Sequence, residues 1–286
     1  MGEVLKVEHL EKRVGDFCLK DISLTLEPGY IMGLIGVNGC GKTTLLHTIL
    51  NLYHKDAGAV WVDGISMEEK EREAKDRIGF VLDQNMFENQ MTVLENGRAF
   101  GGLYSRFDEE LFLIFCKNFG IPLKRKIREL STGMKVRFQL AFALSHDAKL
   151  YIMDEPAAGM DPLFRKELLR CMQQIVEDGT RSVLFSTHIT EDLEQVSDYI
   201  TLMKNGQIYL SMPTIDLKEK FLILYGEKQE IERLPFFNII YREYGEFHNY
   251  AFIAREAHED YSGYKTREPL LEEILYCLEK GGYHNV

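Results

Sequence analysis

The chain has 286 residues, 45% hydrophobic and 28% charged, a composition that excludes wholesale disorder and suits one large domain or two smaller ones. Lys and Arg total 34 against 45 Asp and Glu, a net charge of -11, which argues against nucleic acid as a partner because phosphate backbones require basic surface. The five cysteines (Cys18, Cys40, Cys116, Cys171 and Cys277) are odd in number and form no CxxC pair, arguing against a disulfide scaffold or zinc ribbon and for a reducing compartment.

In chain order, residues 22–26 alternate apolar and polar and read as a half-buried strand closed by Pro28-Gly29. Residues 30–35 are nearly all apolar, as in a strand covered on both faces. A glycine-rich turn leads to a helix over 43–52, and 59–62 reads as a strand with Asp63-Gly64 as its turn. From 91 to 128, Phe100, Leu103, Tyr104, Phe107, Leu111, Phe112, Phe115 and Phe119 recur near helical spacing, predicting a helical insertion. Helices over 131–146 and 163–177 alternate with strands over 150–153 and 181–186. The alternation predicts a three-layer α/β core with a mainly parallel sheet. Residues 214–286 differ: they hold 13 of the 31 Phe and Tyr residues. Strands over 221–225 and 249–253 and a helix over 269–280 predict a small α+β extension. No apolar run approaches the roughly 18 residues that span a bilayer, and MGEVLKVEHL lacks an apolar signal core.

The strongest local signal is Gly36-Val-Asn38-Gly39-Cys40-Gly41-Lys42-Thr43, a G-x-x-x-x-G-K-[ST] loop between a buried strand and a helix. Glycines let successive backbone N–H groups converge on phosphate oxygens, and the helix N-terminus adds positive potential. Lys42 can then reach the β- and γ-phosphates, Thr43 can ligate Mg²⁺, and Thr44 can reach the α-phosphate. Alone, this loop predicts nucleotide binding and names no reaction. The second signal is Asp154-Glu155-Pro156, two acids at the end of an apolar strand, where parallel sheets place their ligands. Asp154 is positioned to bind Mg²⁺, through a water, and Glu155 to act as general base on the attacking water.

Between these motifs lies Leu130-Ser131-Thr132-Gly133-Met134-Lys135, and here the sequence resembles the ATP-binding subunit of an ABC transporter, whose signature is L-S-G-G-Q. Gln84 matches that family's glutamine loop, Ala158-Gly159-Met160-Asp161 its D-loop and His188 its switch histidine. The resemblance spans about residues 3–212. It implies a P-loop NTPase core of ABC ATPase type over 1–213, with a helical subdomain inserted at about 85–135 and the extension over 214–286. It implies ATP and Mg²⁺ as cofactors, with Gln84 sensing metal and attacking water and His188 contacting the γ-phosphate. It also implies a head-to-tail dimer, taken as a homodimer, in which Ser131 and Gly133 close on the γ-phosphate of a second subunit and Asp161 lies at the seam. The chain is similar to small bacterial export-type ATPases with a separate permease, which implies a cytoplasmic location at the inner face of the membrane.

Three positions depart from the family pattern. Val14 stands where an adenine-stacking aromatic residue is usual, with Phe17 nearby as a substitute; Thr132 replaces glycine and Met134 replaces glutamine. Cys40 has two readings, a thiol activated by Lys42 and the loop amides, or a small side chain that simply fits. Met86, Phe87, Met91, Phe100 and Tyr104 are candidates either for a surface facing the permease or for packed core. The alternative function is a soluble ABC ATPase of DNA repair or translation, but paired ATPase units, a coiled-coil insertion, zinc cysteines and basic tracts do not occur here. The intact Lys42, Asp154, Glu155 and His188 argue against a silent regulatory module.

Overall fold

Two hairpins build the first sheet. β1 (Leu5–Val14) and β2 (Phe17–Leu26) pair antiparallel, and β1 also pairs with β4 (Ala57–Val62), which turns into β5 (Ile65–Ser66). Asp63 (φ 51°) and Gly64 (φ 73°) both take positive φ, the geometry of a two-residue turn whose twist suits flanking strands. A bulge at His9 (φ 49°) faces one at Asp21 (φ 49°) and shifts the register between Val7 and Leu10. Leu5, Val7 and Leu10 are therefore all buried although their spacing breaks a period of two.

The computed structural model describes residues 2–234, 238–245, 249–256 and 260–281. It divides into two compact units, Met1–Ser211 and Met212–Val286. The centre of the first is a six-stranded sheet in the order β10-β9-β3-β8-β7-β6. Its strands are β3 (Ile31–Ile35), β6 (Ile78–Val81), β7 (Leu150–Asp154), β8 (Ser182–Ser186), β9 (Tyr199–Lys204) and β10 (Gln207–Pro213). β9, β3, β8, β7 and β6 run parallel. On one face Leu34, Ile152 and Leu184 share a core with Leu45, Leu46 and Ile49 of α1 (Lys42–Ile49) and with Leu5 and Ile22 of the antiparallel sheet. Each such aliphatic side chain contributes about 1.5–3 kcal/mol by leaving water. On the other face α6 (Pro162–Val176) lies on β3 and β8, and Leu193 of α7 (Thr190–Val196) presses so close to Gly33 that a Cβ there would stand 2.0 Å from it. These are the three layers read from the alternation of elements.

The insertion follows a short α2 (Glu71–Lys75) and β6. It comprises α3 (Val93–Gly101), α4 (Glu109–Asn118), a 3-10 turn (Ile127–Glu129) and α5 (Thr132–Ala143). Thr92 and Glu95 form a reciprocal capping box on α3, while Asp108 and Ser131 cap α4 and α5. Its core is aromatic: Phe87 meets Phe138 edge-on with centroids 4.6 Å apart, and Phe112 and Phe142 are fully buried beside them. α5 stops at Ala143, short of the expected 146, because the Ser145 backbone turns back to Phe142.

The second unit contains α8 (Thr214–Lys220), β11 (Phe221–Gly226), α9 (Lys228–Glu232), β12 (Ile239–Tyr244), β13 (Asn249–Ala254), β14 (Lys265–Arg267) and α10 (Leu271–Gly281). Its sheet has four strands in the order β12-β13-β11-β14, where the sequence reading marks two. Phe236, Phe237, Phe247 and Tyr283, counted among the extension's aromatics, lie outside the described residues. α10 packs on β12 through its buried face of Leu271, Ile274, Cys277 and Leu278. Among the described residues no helix is long and apolar enough to cross a membrane.

Candidate active site

β3 delivers the chain into the glycine loop, and three glycines there are sterically required. A Cβ at Gly36 would meet Met203 O at 2.3 Å and Cys40 Sγ at 2.6 Å. Gly41 takes φ 113°, and a Cβ there would stand 2.6 Å from the Phe17 ring; Gly39 takes φ 81°. Helix α1 begins at Lys42, whose side chain is buried and whose Nζ donates to Gly36 O at 2.7 Å, closing the loop on itself. A cleft of about 430 Å³ opens over this turn. Asn38, Gly39, Gly41, Lys42, Thr43 and Thr44 line it together with Glu155 from the end of β7, and with both Val14 and Phe17 from the β1–β2 hairpin. Phe17 packs under Gly41, while Val14 is exposed.

Adjacent strands β7 and β8 assemble the acids. Asp154 lies opposite Ser186 in the parallel register. Ser186 Oγ donates to Asp154 Oδ1 at 2.6 Å and accepts the Glu155 N–H at 2.8 Å. One hydroxyl thus orients both acids, and Asp154 is only 2% exposed. Glu155 takes φ 47°, a left-handed conformation that costs about 1–3 kcal/mol in a non-glycine residue. Its N–H bond to Ser186 and the Ala158 N–H donated to its carbonyl hold it there. His188 Nδ1 lies 2.8 Å from Glu155 Oε2. The sequence reading missed Ser186. The signal was present, since pairing the ends of two parallel apolar strands sets Ser186 against Asp154. Within α1, burial lowers the pKa of His47, with Asp154 opposing the shift.

The remaining expected residues occupy other places. Gln84 lies exposed in the loop after β6 and does not line the cleft. Ser131 caps α5 by accepting the Met134 N–H at 3.3 Å, and Gly133 sits under Met160, whose Sδ would lie 3.3 Å from an added Cβ. Asp161 caps α6, accepting N–H bonds from Leu163 at 3.1 Å and Phe164 at 2.9 Å. None of Ser131, Gly133 and Asp161 lines the cleft of its own chain. Cys40, expected among the cleft residues, faces the hydrophobic core instead, 3% exposed. Burial raises its thiol pKa against the opposing pull of Lys42, so the reading of a small side chain that fits is the one the geometry favours. Phe87 is likewise core, because its ring fills the centre of the aromatic cluster. Met86 and Tyr104 do face a shared groove of about 180 Å³, with Leu50, Leu52, Phe80 and Leu82 among its walls. Phe100 is half-buried against Phe87, and Met91 is exposed outside the groove.

Comparison with known proteins gives one family. The family model described as ABC transporter matches residues 19–158. The chain is 31% identical over 220 residues to the ABC transporter ATP-binding protein YtrB of Bacillus subtilis, covering 77% of this chain and 75% of the relative. It is 34% identical over 206 residues to the Nod factor export ATP-binding protein I of Burkholderia lata, covering 70% and 67%. The sulfate/thiosulfate import ATP-binding protein CysA of Ralstonia nicotianae is 34% identical over 216 residues, covering 71% and 57%. Among solved structures, an ATP-binding subunit of an ABC transporter superposes with a TM-score of 0.70 at 24% identity, covering 76% of this chain and 92% of that one. A dimeric ATP-binding cassette in a post-hydrolysis state bound to ADP and Pi superposes with a TM-score of 0.66 at 22% identity, covering 73% and 98%. Both likenesses establish the fold.

Proposed function

The chain belongs to the ABC transporter family as an ATP-binding subunit, and from that premise we propose that it hydrolyses ATP to drive a separate membrane permease. The observation that carries this reading is the convergence of Lys42, Thr43 and Glu155 on one cleft, with His188 bonded to Glu155. Lys42 exchanges its bond to Gly36 O for the β- and γ-phosphates, and the loop N–H groups hold the same oxygens. Glu155 polarises the attacking water and accepts its proton. His188 orients the Glu155 carboxylate and contacts the γ-phosphate. Catalysis rests on positioning and charge stabilisation rather than a covalent intermediate.

The residues present fit Mg²⁺. Thr43 and Gln84 offer neutral side-chain oxygens and Asp154 a carboxylate, the hard donor set this ion takes. Asp154 is buried and already oriented by Ser186. Bound there, Mg²⁺ would neutralise charge on the β- and γ-phosphates. Gln84 does not line the cleft here, so on this reading it would come to the ion only by movement of the loop after β6.

Ser131, Gly133 and Asp161 lie outside their own chain's cleft. In our reading they complete the cleft of a second copy, so two chains close head to tail around two ATP molecules. The groove at Met86 and Tyr104 receives the permease, which holds the subunit at the inner face of the membrane. We take the direction to be export, as the resemblance to small export-type ATPases with a separate permease implies; the export and import relatives are equally similar, at 34% identity each.

Glu155→Gln tests the mechanism. Turnover should fall by about 10²–10³-fold while ATP affinity is kept, and the variant should accumulate as an ATP-dependent dimer on size exclusion. In the same assay Lys42→Ala should weaken ATP binding itself. Rapid hydrolysis by Glu155→Gln would remove the general-base assignment.

A further inference from the structure

Two buried side-chain amides grip the backbone on either side of the Gln84 loop. Leu82 follows the last residue of β6, an edge strand whose outer side has no neighbouring strand. Gln139, on α5 and 2% exposed, satisfies the Leu82 backbone: its Oε1 accepts the Leu82 N–H at 2.9 Å and its Nε2 donates to Leu82 O at 2.9 Å. Beyond the loop, Asn96 of α3 is fully buried. Its Oδ1 accepts the Glu88 N–H at 2.8 Å, and its Nδ2 donates to Glu88 O at 3.1 Å and to Thr92 O at 3.0 Å. Within the loop the Asn85 amide donates to Phe87 O at 2.7 Å. Residues 83–87, Gln84 included, are thus strung between two clamps, both borne by helices of the insertion.

Gln139 lies at the junction of three parts of the site. A small cavity of about 50 Å³ is lined by Gln139, by Asp83 and Asn85 of the Gln84 loop, by Thr132 of the first turn of α5, and by Asp154 and Glu155. The helix that carries Gln139 is the one whose N-terminus Ser131 caps. An amide inside a helix that faces the core is costly unless its hydrogen bonds are met. Here both are met by the chain leading to Gln84.

We propose that Gln139 and Asn96 are positioning residues that act through Gln84. By tying its two ends to α5 and α3, they hold the loop in place beside Asp154 and Glu155. This rests on the ATPase reading above. Neither amide lines the nucleotide cleft, so their loss should leave ATP binding intact and misplace Gln84.

The test is a double-mutant cycle on steady-state ATP hydrolysis by the full chain, using Gln84→Ala, Gln139→Met and the pair. Gln139→Met should lower kcat on the order of tenfold with KM for ATP-Mg²⁺ unchanged. In the Gln84→Ala background it should have no further effect, since the residue it positions is gone. Asn96→Asp, which keeps the acceptor and loses the donors, should show the same non-additivity. Melting curves check that each variant folds. If Gln139→Met does not fold, the isosteric Gln139→Glu, which keeps the bond to the Leu82 N–H, is read by the same criteria. Unchanged kcat, a rise confined to KM, or losses that multiply with that of Gln84→Ala would overturn the proposal. Absence of turnover in the unaltered protein would overturn the ATPase reading and this proposal with it.

Discussion

Ser186 places the two carboxylates whose chemistry the proposal separates. Its hydroxyl donates to Asp154, leaving that side chain buried as a fixed acceptor, and accepts from the Glu155 backbone, holding the next residue in a left-handed turn. The Glu155 side chain thereby points to the cleft and to His188 while Asp154 points inward. That Lys42 and Glu155 come to one cleft is legible locally, because each sits in a short motif that follows a buried parallel strand. The direction of Cys40 is not legible, because spacing gives position along a loop and not which way a side chain points. With no Cβ on Gly36, the Cys40 thiol fills the space between loop and core. Alkylation of the native protein followed by peptide mass mapping should therefore leave Cys40 unmodified until denaturant is added, since thiolate and access are both withheld. Fast native labelling at Cys40 that ATP suppresses would contradict this placement.

The elements that were readable are those with uninterrupted patterns. The buried parallel strands β3, β7 and β8 are near-continuous apolar runs, and α6 begins at Pro162 behind an Asp161 cap. β1 escaped because its bulge puts Leu10 one residue out of phase with Leu5 and Val7. β14 escaped because all three of its residues are exposed and it has no apolar face. The β9–β10 hairpin was missed despite a fair signal: Asn205-Gly206, both at positive φ, stands between two apolar-rich runs. Past the end of α5, His146 joins that helix to the edge strand, with Nε2 2.9 Å from Ile78 O and Nδ1 3.3 Å from Phe142 O, under the Tyr104 ring. Burial lowers its pKa below the ordinary 6.5, although the carbonyls and the nearby Asp76 and Asp147 oppose the shift. The unfolded chain therefore takes up a proton near pH 6.5 that the folded chain refuses. His146 thus favours folding above that pH, and the stability is lost as pH falls below it. Buried His47 has the same sign. Melting temperatures measured from about pH 7.5 to about pH 5.5 should decline less steeply in His146→Gln than in the unaltered chain. An unchanged slope would contradict the assignment.

At the scale of the molecule, the acidic net charge of -11 and the local phosphate loop are compatible because, on the proposed reading, phosphate would be held by backbone N–H groups and one lysine and not by a basic surface. The signature residues offer no contact to their own cleft, and the groove at Met86 and Tyr104 is apolar. On the proposed reading, both features leave part of the function to other chains, a second copy and a permease. Such partners were legible in the sequence only through the family resemblance, since no periodicity of this chain encodes another chain's surface. The packing of the extension was partly legible, because aromatic and β-branched residues in alternating runs mark a sheet without revealing its strand order.

The most direct test of the central claim is recovery of partners by tagged Glu155→Gln protein with ATP-Mg²⁺ from detergent-solubilised native cells, read by mass spectrometry. A stoichiometric multi-span membrane protein whose recovery depends on ATP is expected. Recovery of only ribosomal, DNA-repair or other soluble partners, with membrane proteins demonstrably extracted, would contradict the transport reading and favour a non-transport ABC ATPase.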